Sequence, residues 1–135
     1  MDREYISTNT PWEAIAGYSR VVRVGNRVFV SGTSASNADG VIQHVGDVGA
    51  QTTFILHKIE AALNQIGVSL EDVVRTRIYV QHIEDWEAVA LAHGEVFGSI
   101  RPASTLVRAA PIDPQMLVEI DADALIMSSQ HQSRT

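Results

Sequence analysis

The chain has no cysteine among its 135 residues, which removes disulfides, thiolate metal sites and cysteine nucleophiles from consideration. Positive charge is scarce: ten Lys and Arg against sixteen Asp and Glu leave a formal net charge of −6. That balance opposes a nucleic-acid partner, whose affinity comes largely from cationic contacts to phosphate. No apolar run approaches the roughly 20 residues that cross a bilayer, so no membrane partner is expected. The N-terminal Met1-Asp2-Arg3-Glu4 is charged and has no apolar signal-peptide stretch, and the expected location is cytoplasmic. The patterns G-x-x-x-x-G-K-[ST], G-x-G-x-x-G and H-E-x-x-H are missing, so phosphate-loop, dinucleotide and zincin chemistry have no foothold. The five histidines, His44, His57, His82, His93 and His131, show neither H-x-H nor i,i+4 spacing, and no metal or other cofactor is expected.

What is present reads as one globular domain over residues 1–127 and a polar, flexible tail over 128–135. The content is 45% hydrophobic and 19% charged, and a chain of this length buries roughly two-thirds of its unfolded surface. Residues 20–31 form two β-rich runs split by Gly25-Asn26, a hairpin signal. A further turn is expected at Asn37-Ala38-Asp39-Gly40. From Asp47 to Ile66 the period becomes helical, with Val48, Thr52, Ile55, Ile59, Ala62, Leu63 and Ile66 on one face. Asp47 is the expected N-cap and Gly67 the left-handed stop. Residues 73–81 alternate, placing Val74, Thr76, Ile78 and Val80 on one face and Arg75, Arg77, Tyr79 and Gln81 on the other. A second helix is expected over Asp85–Phe97 with Trp86, Val89, Ala90, His93 and Phe97 aligned, and Trp86 and Phe97 in the core. Two closing strands, 103–109 and 117–126, are joined through Pro111-Ile112-Asp113-Pro114.

The order hairpin, helix, strand, helix, two strands gives an α+β fold, a mixed sheet with two helices packed on one face. On the last strand Val118, Ile120, Ala122, Ala124 and Ile126 should face the helices. Glu119, Asp121 and Asp123 then point to the opposite face, beside Leu106 and Tyr79, which reads as a subunit interface or a cleft wall.

Gly32-Thr33-Ser34-Ala35-Ser36 begins like a nucleophile elbow but ends in Ser, with no strand-to-helix turn after it. It reads as a serine-rich loop. His93 reads as a packed, hydrogen-bonded residue. Glu119 is the ionisable group of most interest: a mid-strand carboxylate between Val118 and Ile120 is costly to bury unless it is paired or used. An ion pair with Arg77 or Arg108, plain solvation and a chemical role all remain open for it. Asp121 and Asp123 are read as solvated or paired.

Arg101-Pro102-Ala103-Ser104-Thr105-Leu106-Val107, followed by Asp113-Pro114-Gln115-Met116-Leu117-Val118-Glu119-Ile120, resembles the C-terminal signature of the Rid (YjgF-type) family. Supporting blocks lie upstream at Gly17-Tyr18-Ser19, Val30-Ser31-Gly32, Leu70-Glu71-Asp72-Val73-Val74 and His93-Gly94-Glu95-Val96-Phe97. The resemblance runs from about residue 15 to 126. It implies a chorismate-mutase-like fold assembled as a homotrimer, sheets inside and helices outside, with small-molecule clefts between subunits. It also implies hydrolysis of enamines and imines such as 2-aminoacrylate to a carbonyl compound and ammonia, with no cofactor. Carried over residue by residue, Tyr18 and Gly32 match cleft-lining positions, and Glu119 matches the glutamate that positions the attacking water.

One departure bears on the substrate. Deaminating members read Pro-Ala-Arg-Ser, where the arginine clamps a substrate carboxylate; here Ser104 holds that position, with one donor and no charge. Leu106, on the same face of its strand, adds apolar bulk to the implied binding site. Three arginines are candidates to replace the lost one. Arg108 lies about 13 Å along the strand, out of reach without rearrangement, and the choice between Arg77 and Arg101 is open. Two functions are therefore expected: an imine or enamine deaminase that needs no arginine clamp, or a non-catalytic trimer that binds a small metabolite. The older family labels of endoribonuclease and translation inhibitor fit poorly with an acidic chain.

Overall fold

The computed structural model describes residues 2–127; the tail expected over 128–135 lies outside them. Among the described residues three α-helices, six strands and two short 3-10 turns follow one another. Strand β1 (Arg3–Ile6) leads to a one-and-a-half-turn helix α1 (Pro11–Ala16), then to the hairpin of β2 (Val21–Val24) and β3 (Arg27–Thr33). Helix α2 (Val48–Asn64) precedes β4 (Val73–Val80), α3 (Trp86–Phe97), β5 (Ala103–Arg108) and β6 (Val118–Leu125). The strands form one sheet in the order β1-β2-β3-β6-β4-β5. Every neighbouring pair is antiparallel except β4 and β5. A parallel pair needs a crossover, and α3 supplies it.

The expected α+β arrangement, a mixed sheet with the two long helices on one face, is what the chain adopts. Helix α2 packs on β6 and β3 and against α3. The Asp47 side chain accepts from Ala50 N–H at 3.0 Å, and Gly67 closes the far end at φ 72°. Ile55, Leu56, Ile59, Ala62 and Leu63 of α2 are buried with Val28, Val30, Ile78, Val80, Val118, Ile120, Ala122 and Ala124 of the sheet. Each large aliphatic side chain buried there contributes about 1.5–3 kcal/mol.

Several expectations need correction. The elements β1 and α1 were not foreseen: β1 is a four-residue edge strand of mostly polar side chains, and α1 is too short to show a period. In β4 a register shift between Val73 and Arg75 puts Val73, not Val74, into the core; Val74 is 40% exposed. In α3 the buried stripe is Val89, Ala92 and Phe97, while Trp86 is 51% exposed. Helix α3 is apolar nearly all round in its first half, so its phase is set by α2 and the sheet. Leu106 was expected beside Tyr79 and the acids. The parallel register pairs it with Ile78, turning it to the helix-covered face, and places Thr105 and Val107 beside Arg77 and Tyr79.

The uncovered sheet face carries a polar network. Arg77 donates to Asp121 Oδ1 at 2.8 Å and to Asp123 Oδ2 at 3.1 Å, and Tyr79 Oη donates to Asp121 Oδ2 at 2.8 Å. Arg77 is thus paired with Asp121 and Asp123, and the ion pair open to Glu119 goes to its neighbours instead.

Candidate functional site

The site begins at an irregularity in the sheet. Val30 pairs with Ala122 and Thr33 pairs with Ile120, so Ser31 and Gly32 together oppose the single residue Asp121. Such a bulge bends the strand and frees backbone groups from the ladder. The freed Gly32 carbonyl accepts from Arg20 Nη1 at 2.6 Å, and Ser31 Oγ donates to the Ser19 carbonyl at 2.6 Å. Gly32 matters for space rather than for backbone angle: a Cβ there would run into Glu119 Oε2 and push that carboxylate aside. The bulge thus lays bare backbone against the Glu119 carboxylate.

A cleft of about 470 Å³ opens over this contact, lined by Trp12, Tyr18, Arg20, Ser34 and Met116 together with Ser31, Gly32 and Glu119. A smaller pocket of about 230 Å³ beside Tyr79 and Pro111 shares Ile112 and Glu119 with it. Glu119 therefore stands where two hollows meet. Its opening is held by a buried amide on the far side of the sheet. Gln51 is fully buried; its Nε2 donates to the Gln115 carbonyl at 2.9 Å, and its Oε1 accepts from Leu117 N–H at 3.0 Å. That clamp fixes the loop carrying Ile112 and Met116.

The electrostatics are set by one buried ion pair. Arg20 and Glu13 have side chains 3% and 4% exposed and meet at 3.4 Å. Burial alone would push the Glu13 carboxyl up. Hydrogen bonds from the hydroxyls and backbone N–H groups of Thr8 and Thr10 outweigh it and hold the group at about 2. Arg20 also donates from Nε to Thr8 Oγ1, from Nη1 to Gly32 O and Thr33 Oγ1, and from Nη2 to Thr10 Oγ1 and Glu13. A guanidinium has five N–H donors, and all five have partners. Arg20 thus gives the cleft a positive field and, with its ring contact to Tyr18 at 5.6 Å, a firm wall, but has no donor left for a ligand. Sequence reading missed it; its signal was the Thr10-x-x-Glu13 spacing just ahead of Tyr18-Ser19-Arg20, a charged pair flanking a matched block.

Glu119 is half-buried, and among the described residues no hydrogen bond or ion pair engages its carboxylate. Burial raises its pKa, Arg20 opposes the rise, and Asp121 adds to it. A carboxylate so placed can accept a proton from a water molecule in the cleft.

Of the residues singled out from sequence, Tyr18, Gly32 and Glu119 come together in this cleft. Ser104 and Leu106 do not. They lie on β5 at the sheet edge, where Ser104 Oγ accepts from Thr76 Oγ1 at 2.8 Å, and Thr76 Oγ1 lies 3.0 Å from His93 Nε2. His93 is thus hydrogen-bonded and packed, and burial lowers its pKa. None of the three arginines considered as a replacement lines the cleft: Arg77 is bound to Asp121 and Asp123, Arg101 lines a separate pocket of about 310 Å³ with His93 and Phe97, and Arg108 sits on the edge strand. Among the described residues, no group of three or more His, Asp or Glu side chains converges to hold a metal ion, and no helix is long and apolar enough to cross a membrane.

Comparison with known proteins places these features. The family model described as Endoribonuclease L-PSP matches residues 8–126. The uncharacterized protein SCO2049 of Streptomyces coelicolor is 37% identical over 120 residues, covering 88% of this chain and 89% of its own. The 3-aminoacrylate deaminase RutC of Acinetobacter baylyi is 32% identical over 120 residues, covering 89% of this chain and 95% of its own. Among solved structures, Rv2704 of Mycobacterium tuberculosis, a member of the YjgF/YER057c/UK114 family, superimposes with a TM-score of 0.82 at 44% identity, over 93% of this chain and all of its own.

Proposed function

The chain belongs to the Rid (YjgF-type) family, and from that premise we propose that it hydrolyses an imine or enamine to a carbonyl compound and ammonia. The observation that carries the reading is the Glu119 carboxylate, free of hydrogen-bond partners among the described residues and pressed against the bare Gly32 backbone at the floor of a cleft. A protonated C=N carbon is already electrophilic, so orienting one water toward it and taking up its proton is sufficient catalysis. Deamination by a 32% identical relative supports the same chemistry.

Ser104 and Leu106 lie on an open sheet edge. For them to bind substrate beside Tyr18, Gly32 and Glu119, they must come from a neighbouring copy. A homotrimer with clefts between subunits meets that requirement, and it would cover the Arg77–Asp121–Asp123 face. We place this trimer in the cytoplasm, with no cofactor and no partner beyond itself and a small molecule.

The substrate class follows from charge. Ser104 offers no cation and Arg20 has no spare donor, so a neutral imine suits this cleft better than a carboxylate-bearing enamine. The same missing clamp favours a second reading, a non-catalytic trimer that binds a small metabolite. Ammonia release above the spontaneous rate, measured on 2-aminoacrylate, 3-aminoacrylate and a panel of neutral imines, separates the two. Acceleration greatest on the neutral imines supports hydrolysis; no acceleration on any of them leaves the binding reading.

A further inference from the structure

Lys58 is the only lysine in the chain; the other nine basic side chains are arginines. It projects from α2 toward the serine-rich segment after β3, where Nζ donates to the Ser36 carbonyl at 2.9 Å and to Ser36 Oγ at 3.3 Å. Ser36 is 1% exposed, and its Oγ accepts from Ser34 Oγ at 3.3 Å; both hydroxyls rotate, so the bond runs in either direction. Ser34 in turn lines the cleft that holds Glu119. On the other side, Lys58 lines a pocket of about 380 Å³ with Thr8, Asn37, Phe54 and His57. The atoms Nζ, Oγ and Oγ therefore cross the wall between two hollows, one of them the Glu119 cleft. Both 3.3 Å contacts are long for hydrogen bonds; such bonds commonly tighten when a substrate is bound.

The charges around Lys58 suit it to giving up a proton. Among the described residues it has no carboxylate within ion-pair distance. Burial lowers its pKa first, and Arg20 lowers it further. Glu13 opposes both, with its carboxylate already committed to Arg20, Thr8 and Thr10, and the result is about 8. His57 is the other titratable group lining its pocket.

We propose that Lys58, Ser36 and Ser34 form a proton relay into the Glu119 cleft, supplying the proton with which the substrate nitrogen departs as ammonia. This rests on the hydrolytic reading above. In the first step water adds to the iminium carbon: a C–O bond forms, the C=N π pair moves to nitrogen, and Glu119 takes the water proton. In the second, Ser34 gives its hydroxyl proton to that nitrogen, Ser36 reprotonates Ser34, and Lys58 reprotonates Ser36, leaving a neutral amine. The C–N bond then breaks with its pair going to nitrogen. The carbinol hydroxyl closes to C=O, and its proton leaves with the ammonia as ammonium. Protonated Glu119 and neutral Lys58 reset by passing one proton from the first to the second through solvent. A carbinolamine nitrogen needs such a donor because it cannot leave as an amide ion.

The test uses the full chain and the best imine substrate of the panel. The kcat–pH profile of wild type should be bell-shaped, its alkaline limb set by loss of the Lys58 proton near pH 8. Lys58→Met should lower kcat about 100-fold, leave KM within about twofold and abolish that limb. Lys58→Arg keeps the charge but cannot release a proton in this range, so it should not rescue. Ser34→Ala and Ser36→Ala should each resemble Lys58→Met. Protein labelled with 13C-lysine gives a single side-chain set, and its Cε shift should titrate with a midpoint near 8. A midpoint at the ordinary lysine value, or wild-type kcat in Lys58→Arg, overturns the relay. If Glu119→Gln abolishes turnover while the Lys58 variants retain it, the relay falls and the hydrolytic reading stands. If wild type accelerates no imine, both fall.

Discussion

Gly32 and Glu119 are in close contact: a Cβ on Gly32 would occupy the space that Glu119 Oε2 now holds. The contact lies at the bulge of Ser31–Gly32, which opposes Asp121 on β6. Gly32 there meets the carboxylate of Glu119, two residues along β6, which no hydrogen bond engages among the described residues. Because φ at Gly32 is not positive, Gly32→Ala introduces no backbone strain, and the clashing group is the mobile end of a side chain. The expected result is a stability loss of only about 1 kcal/mol, at the low end of overpacking costs, with a much larger loss of imine hydrolysis as the carboxylate is pushed aside. Urea denaturation and ammonia release on the same variant check both halves.

Arg20→Met should destabilise the fold by about 3–5 kcal/mol, because it strands Glu13 as an unpaired buried charge. Thermal or urea unfolding measures this. Arg20→Met combined with Glu13→Gln should recover part of the loss, since the orphaned charge is gone.

Glu13 also sets an acid limit. Its folded-state pKa, about 2, is depressed below the ordinary 4.5. The stability it confers is therefore fully present above pH 4.5 and lost as pH falls toward 2. Urea midpoints followed from pH 5 to pH 2 should drop for wild type, and less steeply for Glu13→Gln.

On the uncovered sheet face, Arg77→Met leaves Asp121 and Asp123 facing each other without their cation. If that face is covered by neighbouring copies, the variant should lose assembly. Light scattering should give about 44 kDa for wild type, three times the 14.7 kDa chain, and a lower mass for Arg77→Met. A wild-type monomer contradicts the shared cleft.

Ser104→Arg restores a cation where deaminating members of the family carry one. The Ser104 backbone lies on an exposed edge, so the longer side chain has room to turn outward. The expected gain is in kcat/KM for 2-aminoacrylate, through a lower KM, with neutral imines unaffected. No gain on 2-aminoacrylate would show that the residue match at 104 is wrong.

The last strand was legible from alternation alone: the burial of Val118, Ile120, Ala122 and Ala124 and the outward turn of Glu119, Asp121 and Asp123 follow its period of two. Helix α2 was equally plain, its Asp47 cap and Gly67 stop included. What sequence could not supply were phases fixed by other elements. Trp86 belongs to a segment apolar on too many sides to state which side packs. Leu106 and Ser104 are oriented by a parallel register that no local pattern encodes. Nor does the Ser31–Gly32 bulge announce itself, yet it makes the cleft; Glu119 stood out from its strand pattern, whereas Tyr18 and Gly32 were picked out by family resemblance alone. Arg20 went unread because its meaning depends on Glu13, Thr8 and Thr33, partners that only the folded chain assembles.

Most direct is kcat/KM for ammonia release by Glu119→Gln on the best imine substrate, beside wild type and with folding confirmed by circular dichroism. Burial raises the Glu119 pKa, so wild-type activity should rise with pH through a midpoint above the ordinary 4.5, and Glu119→Gln should lose about 100-fold or more together with that pH dependence. A Glu119→Gln variant that hydrolyses imines at the wild-type rate contradicts a hydrolytic centre at Glu119.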